Sequence, residues 1–174
     1  MSTDNAPAAS ALIARSAGDF TLSAAELAEI RHELAHYEDP RAASIEALKT
    51  VQKHRGWVPD GAIGAIAAVL GIGPAEVEGV ATFYNMIFRR PVGRHVIKVC
   101  DSISCFLTGY EELCAAIERH TGLRYGETGA DGRFTLLPVC CLGNCDKGPT
   151  LMIDDDTHGP VTAAEVPALL ERYT

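Results

Sequence analysis

The sequence predicts an α+β protein in which an N-terminal helical bundle precedes an α/β layer. Three observations lead there. Residues 21–90 hold four successive segments with helical apolar spacing, separated by Gly and Pro signals. Residues 91–174 change character and hold three short apolar or β-branched runs, at 95–99, 134–139 and 151–153. The first two of these runs each end at a cysteine and pass into a loop that carries another.

In chain order, residues 1–20 are rich in Ala and Ser with scattered charge and read as a mobile tail. Ser23 stands three residues before Glu26, the capping-box pattern that starts a helix. Leu27, Ile30, Leu34 and Tyr37 give that helix an apolar face, and Asp39-Pro40 ends it. Ile45, Leu48, Val51 and Gln52 mark one side of a second helix. Gly56 and Pro59 bracket a turn, with Trp57 as the expected core anchor. Residues 61–70 form a third helix closed by Gly71. Pro74 suits the first turn of a fourth, running through Val77 and Val80 to Phe83 or Tyr84.

The break falls at Arg90 to Gly93. A strand at 95–99 follows, then a helix with Tyr110, Leu113, Cys114 and Ile117 at i, i+3, i+4 and i+7. Strands at 134–139 and 151–153 come next. Residues 155–159 look like a hairpin turn into a fourth strand, and 162–172 like a closing helix capped by Thr162 with Glu165 three residues on. Strand, helix, strand, strand, helix is an α/β layer resembling a reduced thioredoxin fold. No internal repeat occurs.

Composition narrows the function classes. The apolar fraction of 47% and charged fraction of 22% are ordinary for a globular chain, and no apolar run reaches a membrane-spanning length. The N-terminus lacks a basic leader followed by a long apolar stretch, which points to the cytoplasm. Thiols stay reduced there, so six cysteines read as metal or redox ligands rather than as disulfides. The net charge of −8 is spread over both halves and disfavours nucleic acid and anionic membrane as partners. A basic protein partner suits it better.

The chemistry lies with the cysteines. Cys100 and Cys105 stand as C-x4-C, Cys141 and Cys145 as C-x3-C, with 35 residues between the pairs. Four thiolates from two strand-to-loop transitions suit an iron–sulfur cluster or a tetrahedral ion. Zinc knuckles favour tighter C-x2-C turns, so the spacing favours a cluster; zinc and thiol–disulfide chemistry remain the alternatives, the latter without its C-x-x-C. Adjacent strand residues face opposite ways, so Cys140 and Cys141 cannot both easily face one site, and Cys141 gives the C-L-G-N-C loop. Gly143 lets backbone N–H groups approach sulfur. Cys105 is expected just before a helix, whose N-terminal partial charge would favour a thiolate. Cys114 reads as a small core residue. Cys140 is either core or support for the site. Asp101 and Asp146 beside candidate ligands predict a low reduction potential for a cluster there.

A competing motif is His32-Glu33-Leu34-Ala35-His36, which matches H-E-x-x-H. At about 100° per residue from Leu27, the apolar face centres near roughly 320°, while His32 and His36 fall at about 140° and 180°. They lie on the polar face, so the motif reads as solvated helix surface and not as a protease floor. Gly71, Ile72 and Gly73 lack the third glycine and preceding strand of a dinucleotide loop. His54, His95, His120 and His158 show no ligand spacing. Asp154, Asp155 and Asp156 read as a solvated hairpin.

Several further motifs occur together in order. Residues 45–48, 52–59 (Gln-Lys-His-Arg-Gly-Trp-Val-Pro) and 77–84 (Val-Glu-Gly-Val-Ala-Thr-Phe-Tyr), the paired cysteines, and the stretch from Asp131 to Cys145 resemble the 24-kDa-type subunits of respiratory complex I, NADH:quinone oxidoreductase. The likeness covers about residue 20 to the C-terminus. It implies a tail at 1–20, a helical bundle at 21–90 and a thioredoxin-like [2Fe–2S] ferredoxin domain at 91–174. It places the cluster-ligand role on Cys100, Cys105, Cys141 and Cys145, with Cys140 outside the motif and no catalytic residue in the chain. It also implies a 51-kDa-type partner subunit that holds FMN and binds NADH, with one electron exchanged between that FMN and the cluster. The parent complex would be an NADH dehydrogenase on the cytoplasmic side of the bacterial inner membrane, to which this chain is peripheral. The equivalent subunit of an NAD-dependent formate dehydrogenase or hydrogenase is the alternative, and a zinc-stabilised interaction module is the rival from another class.

Overall fold

Ser23 starts the first helix as its spacing predicts. Its hydroxyl accepts the Glu26 N–H at 3.2 Å, and the Glu26 carboxylate accepts the Ser23 N–H at 2.7 Å, so two orphan donors of the helix start are satisfied. This protein is seen as a computed structural model that describes residues 20–174. The expected tail, apart from its last residue, lies outside the described residues; that residue, Phe20, packs against the helical core. The chain divides into two compact units at Pro91/Val92.

The first unit is helical. Helix α1 (Ala24–Leu34) is followed by a 3-10 turn at Pro40–Ala43, then α2 (Ser44–Arg55), α3 (Asp60–Leu70) and α4 (Pro74–Phe83). Gly56 and Gly71 end α2 and α3 in the left-handed region, at φ 80° and 69°, which a Cβ would oppose. Ile30, Leu48, Val51, Val58, Ile66 and Val77 are fully buried at the centre, each worth roughly 1.5–3 kcal/mol relative to exposure. Two expectations fail here. Tyr37 does not extend the α1 face, because the helix stops at Leu34 and the chain turns toward Asp39, whose carboxylate accepts the Arg41 N–H at 2.9 Å. Trp57 is only half-buried; Val58 is the anchor, and its N–H reaches Phe88 O at 2.8 Å.

The second unit is a four-stranded sheet with helices. Its elements are β1 (His95–Cys100), α5 (Ile103–Leu107), α6 (Tyr110–Thr121), β2 (Phe134–Val139), β3 (Leu151–Ile153), β4 (Asp156–His158) and α7 (Val166–Leu170). The strand order is β2-β1-β3-β4, with β1 and β2 parallel and the other two pairs antiparallel. Parallel strands need a long crossover, and α6 lies within it. Ile97, Val99, Leu113, Ile117, Leu136 and Ile153 form the core with Val166 and Leu170 of α7. Gly93 opens the unit where no side chain fits: a Cβ would lie 2.8 Å from Arg133 O, and its N–H donates to the buried Thr135 hydroxyl at 2.7 Å.

Three boundaries differ from the sequence reading. The hairpin turn is at Asp154 and Asp155, with Asp154 at φ 53°, so the fourth strand occupies 156–158, where the residue types predict a turn. The closing helix is only Val166–Leu170; Thr162 donates both its N–H and its hydroxyl to Glu165 and serves the preceding turn instead. The short helix α5 has no counterpart in the sequence reading. Five residues are too few for periodicity to show.

Candidate functional site

Parallel pairing brings the two cysteine stretches to one end of the sheet. β1 and β2 run in register from His95 opposite Phe134 to Cys100 opposite Val139. Both strands therefore end side by side, and both loops leave from the same edge. The Asp101 N–H donates to Val139 O at 3.0 Å and the Cys100 N–H to Thr150 O at 3.1 Å, which fixes the loop roots. Loops outside the carboxyl ends of parallel strands are the usual place for a site in such sheets.

The sequence-predicted residues meet there. All four are free thiols, Cys100 and Cys105 buried and Cys141 and Cys145 exposed. Cys141 Sγ lies 3.3 Å from Cys145 Sγ, and the Gly143 N–H points at Cys141 Sγ at 3.4 Å. Gly143 reaches this from the left-handed region, at φ 79°. Burial works to raise the Cys100 thiol, but the backbone groups of Ser102 and Leu142, together with Cys105, outweigh it and lower its pKa. Leu142 belongs to the second loop, so the two loops share this sulfur. Cys105 goes the other way: burial and then the neighbouring Cys100 sulfur raise it, against the Thr150 backbone. Cys145 is raised by Cys141 first, and the Cys100 charge adds to it.

Cys105 corrects one expectation. It lies in the first turn of the five-residue α5 rather than before a helix. Residues that sequence reasoning missed build the loops instead. The buried Thr150 hydroxyl donates to Lys147 O at 2.9 Å and accepts the Asn144 side-chain N–H at 3.2 Å, holding the turn at Cys145–Lys147. Gly148 backs Cys105: a Cβ there would stand 2.6 Å from Thr108 Oγ1 and 3.5 Å from Cys105 Sγ. No sequence signal marks Thr150, because its partners, the Lys147 carbonyl and the Asn144 amide, are brought to it by the fold of the loop.

The other candidates lie elsewhere. Cys114 is half-buried against the core, 3.0 Å from the Tyr125 hydroxyl. Cys140 is exposed and fills no core. His32 and His36 are exposed on the polar side of α1, as their angles predict. His95 pairs with Asp154 at 2.7 Å and His54 with Glu29 at 2.9 Å. Gly71 caps α3, and the Gly73 N–H donates to Glu76 at 2.9 Å. Among the described residues no helix is long and apolar enough to cross a membrane.

Four converging thiols and several backbone donors are the set an Fe–S cluster needs, and they equally fit tetrahedral zinc. Comparison with known proteins separates the two. Residues 30–174 match the family model described as thioredoxin-like [2Fe-2S] ferredoxin. The chain is 67% identical over 154 residues to the E subunit of NADH-quinone oxidoreductase from Salmonella typhimurium, covering 88% of this chain and 93% of that one. The E subunits of the same enzyme from Escherichia coli K12 and Pseudomonas aeruginosa are each 66% identical over the same length. A solved NAD+-reducing [NiFe]-hydrogenase in its H2-reduced state shares the fold, with a TM-score of 0.62 at 24% identity over 72% of this chain and 22% of that one. The cofactor of this family is a [2Fe–2S] cluster. The chain belongs to the thioredoxin-like [2Fe–2S] ferredoxin family, among the E subunits of NADH-quinone oxidoreductase.

Proposed function

We propose that the chain is the electron-carrying subunit of an NADH:quinone oxidoreductase. In this reading Cys100, Cys105, Cys141 and Cys145 hold one [2Fe–2S] cluster, and one electron is exchanged with the FMN of a neighbouring 51-kDa-type, NADH-binding subunit. The observation that carries it is the convergence of these four free thiols at one sheet edge. Once bound, the cluster supplies a one-electron store without proton chemistry of its own. The chain's residues do the rest. Buried Cys100 and Cys105 keep water from the inner side, while the Gly143 N–H and the backbone at Ser102, Leu142 and Thr150 offset thiolate charge.

The outer side is open, with Cys141 and Cys145 exposed. Ile103, Phe106 and Leu107 on α5 are 70%, 50% and 75% exposed around buried Cys105. An apolar face of this kind beside a redox site suits a permanent neighbour better than water. The subunit would be peripheral, on the cytoplasmic side of the bacterial inner membrane. The formate dehydrogenase or hydrogenase alternative has only a likeness of fold behind it.

Purification of the chain from its own host through a mild affinity step tests this reading. It is expected to bring an FMN-containing subunit and an activity that reduces quinone with NADH. Leu107→Asp is expected to weaken that association severalfold while leaving the iron content intact. Recovery of a molybdenum or nickel–iron subunit in place of a quinone-reducing complex would overturn it.

A further inference from the structure

We propose that His32 and His36, with Glu33, form a surface site for a divalent d-block cation of the zinc and nickel class. This site is independent of the cysteine centre. The three side chains each offer a ligand atom, and these atoms lie within 4.8 Å of one another. Helix α1 ends at Leu34, yet the turn continues through His36: the Ala35 N–H reaches Arg31 O at 3.3 Å and the His36 N–H reaches Glu33 O at 3.0 Å. The i, i+4 spacing therefore keeps its helical meaning and sets one imidazole above the other. Their ring centroids stand 4.8 Å apart, edge to face.

Three features favour a cation there. Imidazole is the borderline donor that suits zinc, nickel and copper, and a carboxylate adds charge to the set. The donors sit at the C-terminal end of α1, where the aligned peptide dipoles give a partial negative charge. Among the described residues the His32, Glu33 and His36 side chains enter no hydrogen bond or ion pair, whereas His54 and His95 are already engaged by Glu29 and Asp154. Exposure of both imidazoles means that little desolvation opposes binding. It also leaves the remaining coordination positions to water.

The test is equilibrium dialysis of the untagged, full-length, cluster-loaded chain against nickel chloride, with iron counted in the same samples. One saturable nickel per chain is expected. His32→Ala and His36→Ala should each weaken it by about tenfold or more, and Glu33→Gln by a few fold, with iron unchanged in all. Absence of bound nickel in the wild-type chain would overturn the proposal. So would nickel binding that survives either histidine substitution at full strength. The iron count reads the cysteine centre separately, so failure of one proposal leaves the other intact.

Discussion

Cys145→Ala is expected to take bound iron from about two per chain to near zero. The side chain is exposed and contributes nothing to the core, so the fold should persist by circular dichroism. A loss of iron in a folded chain then reports a missing ligand and not a collapsed domain. Cys141→Ala should behave alike, since its sulfur stands beside that of Cys145. Cys140→Ala is the informative control. It is adjacent to Cys141 and exposed, and its replacement should leave iron and absorbance as in the wild type. Cys100→Ala would also empty the site, but Cys100 is 2% exposed and such a change mixes ligand loss with a core cavity. Full iron in Cys145→Ala would contradict the ligand assignment.

The second large effect lies in the helical unit. Glu26 is 1% exposed and forms an ion pair with Arg55, whose Nη2 donates to Oε2 at 2.7 Å. The Arg55 guanidinium is the main reason that the Glu26 carboxyl is held at about pKa 2, and the Ser23 N–H assists. A carboxyl depressed on folding stabilises the native state fully above its unfolded value, about 4.3, and loses that contribution as pH falls toward 2. The contribution is on the order of 3 kcal/mol. Glu26→Gln is expected to lower stability by about 3 kcal/mol at neutral pH, because it removes the carboxylate charge that Arg55 and the Ser23 N–H stabilise. It should also flatten the acid limb between about pH 5 and pH 2. Trp57 is the chain's one tryptophan and lies in this unit. Urea unfolding followed by its fluorescence at several pH values therefore reads the bundle directly. Parallel stability–pH curves for wild type and variant would contradict the role given to Glu26.

What could be read from the sequence was local. Ser23 and Glu26, Gly71 and Pro74 announce helix ends because each acts within one turn of itself. The strands β1, β2 and β3 show as short apolar runs, each entered soon after a Gly or Pro (Gly93, Gly132, Pro149). Tyr37 misleads because the apolar spacing continues past Leu34, where the helix itself ends. The fourth strand is hidden in an aspartate run whose propensity suggests only a turn; pairing of Asp156 with Ile153 overrides that. The ion pair of Glu26 with Arg55 spans two helices, and no local pattern marks it. At the site the four cysteines are legible from spacing, but strand alternation does not separate Cys140 from Cys141, because β2 ends at Val139 and both lie beyond it. Their convergence follows from the parallel register of β1 and β2, which only the three-dimensional pairing supplies. The supporting donors at Ser102, Leu142, Gly143 and Thr150 act through backbone or loop geometry, so side-chain identity does not disclose most of them.

The most direct measurement is anaerobic purification of the full chain, dithionite reduction, low-temperature EPR, and iron, sulfide and zinc counts on the same sample. About two irons and two sulfides per chain, no stoichiometric zinc at the cysteines, and an S = 1/2 signal that appears on reduction are expected. Stoichiometric zinc without iron, in protein kept from oxygen throughout, would contradict the cluster assignment.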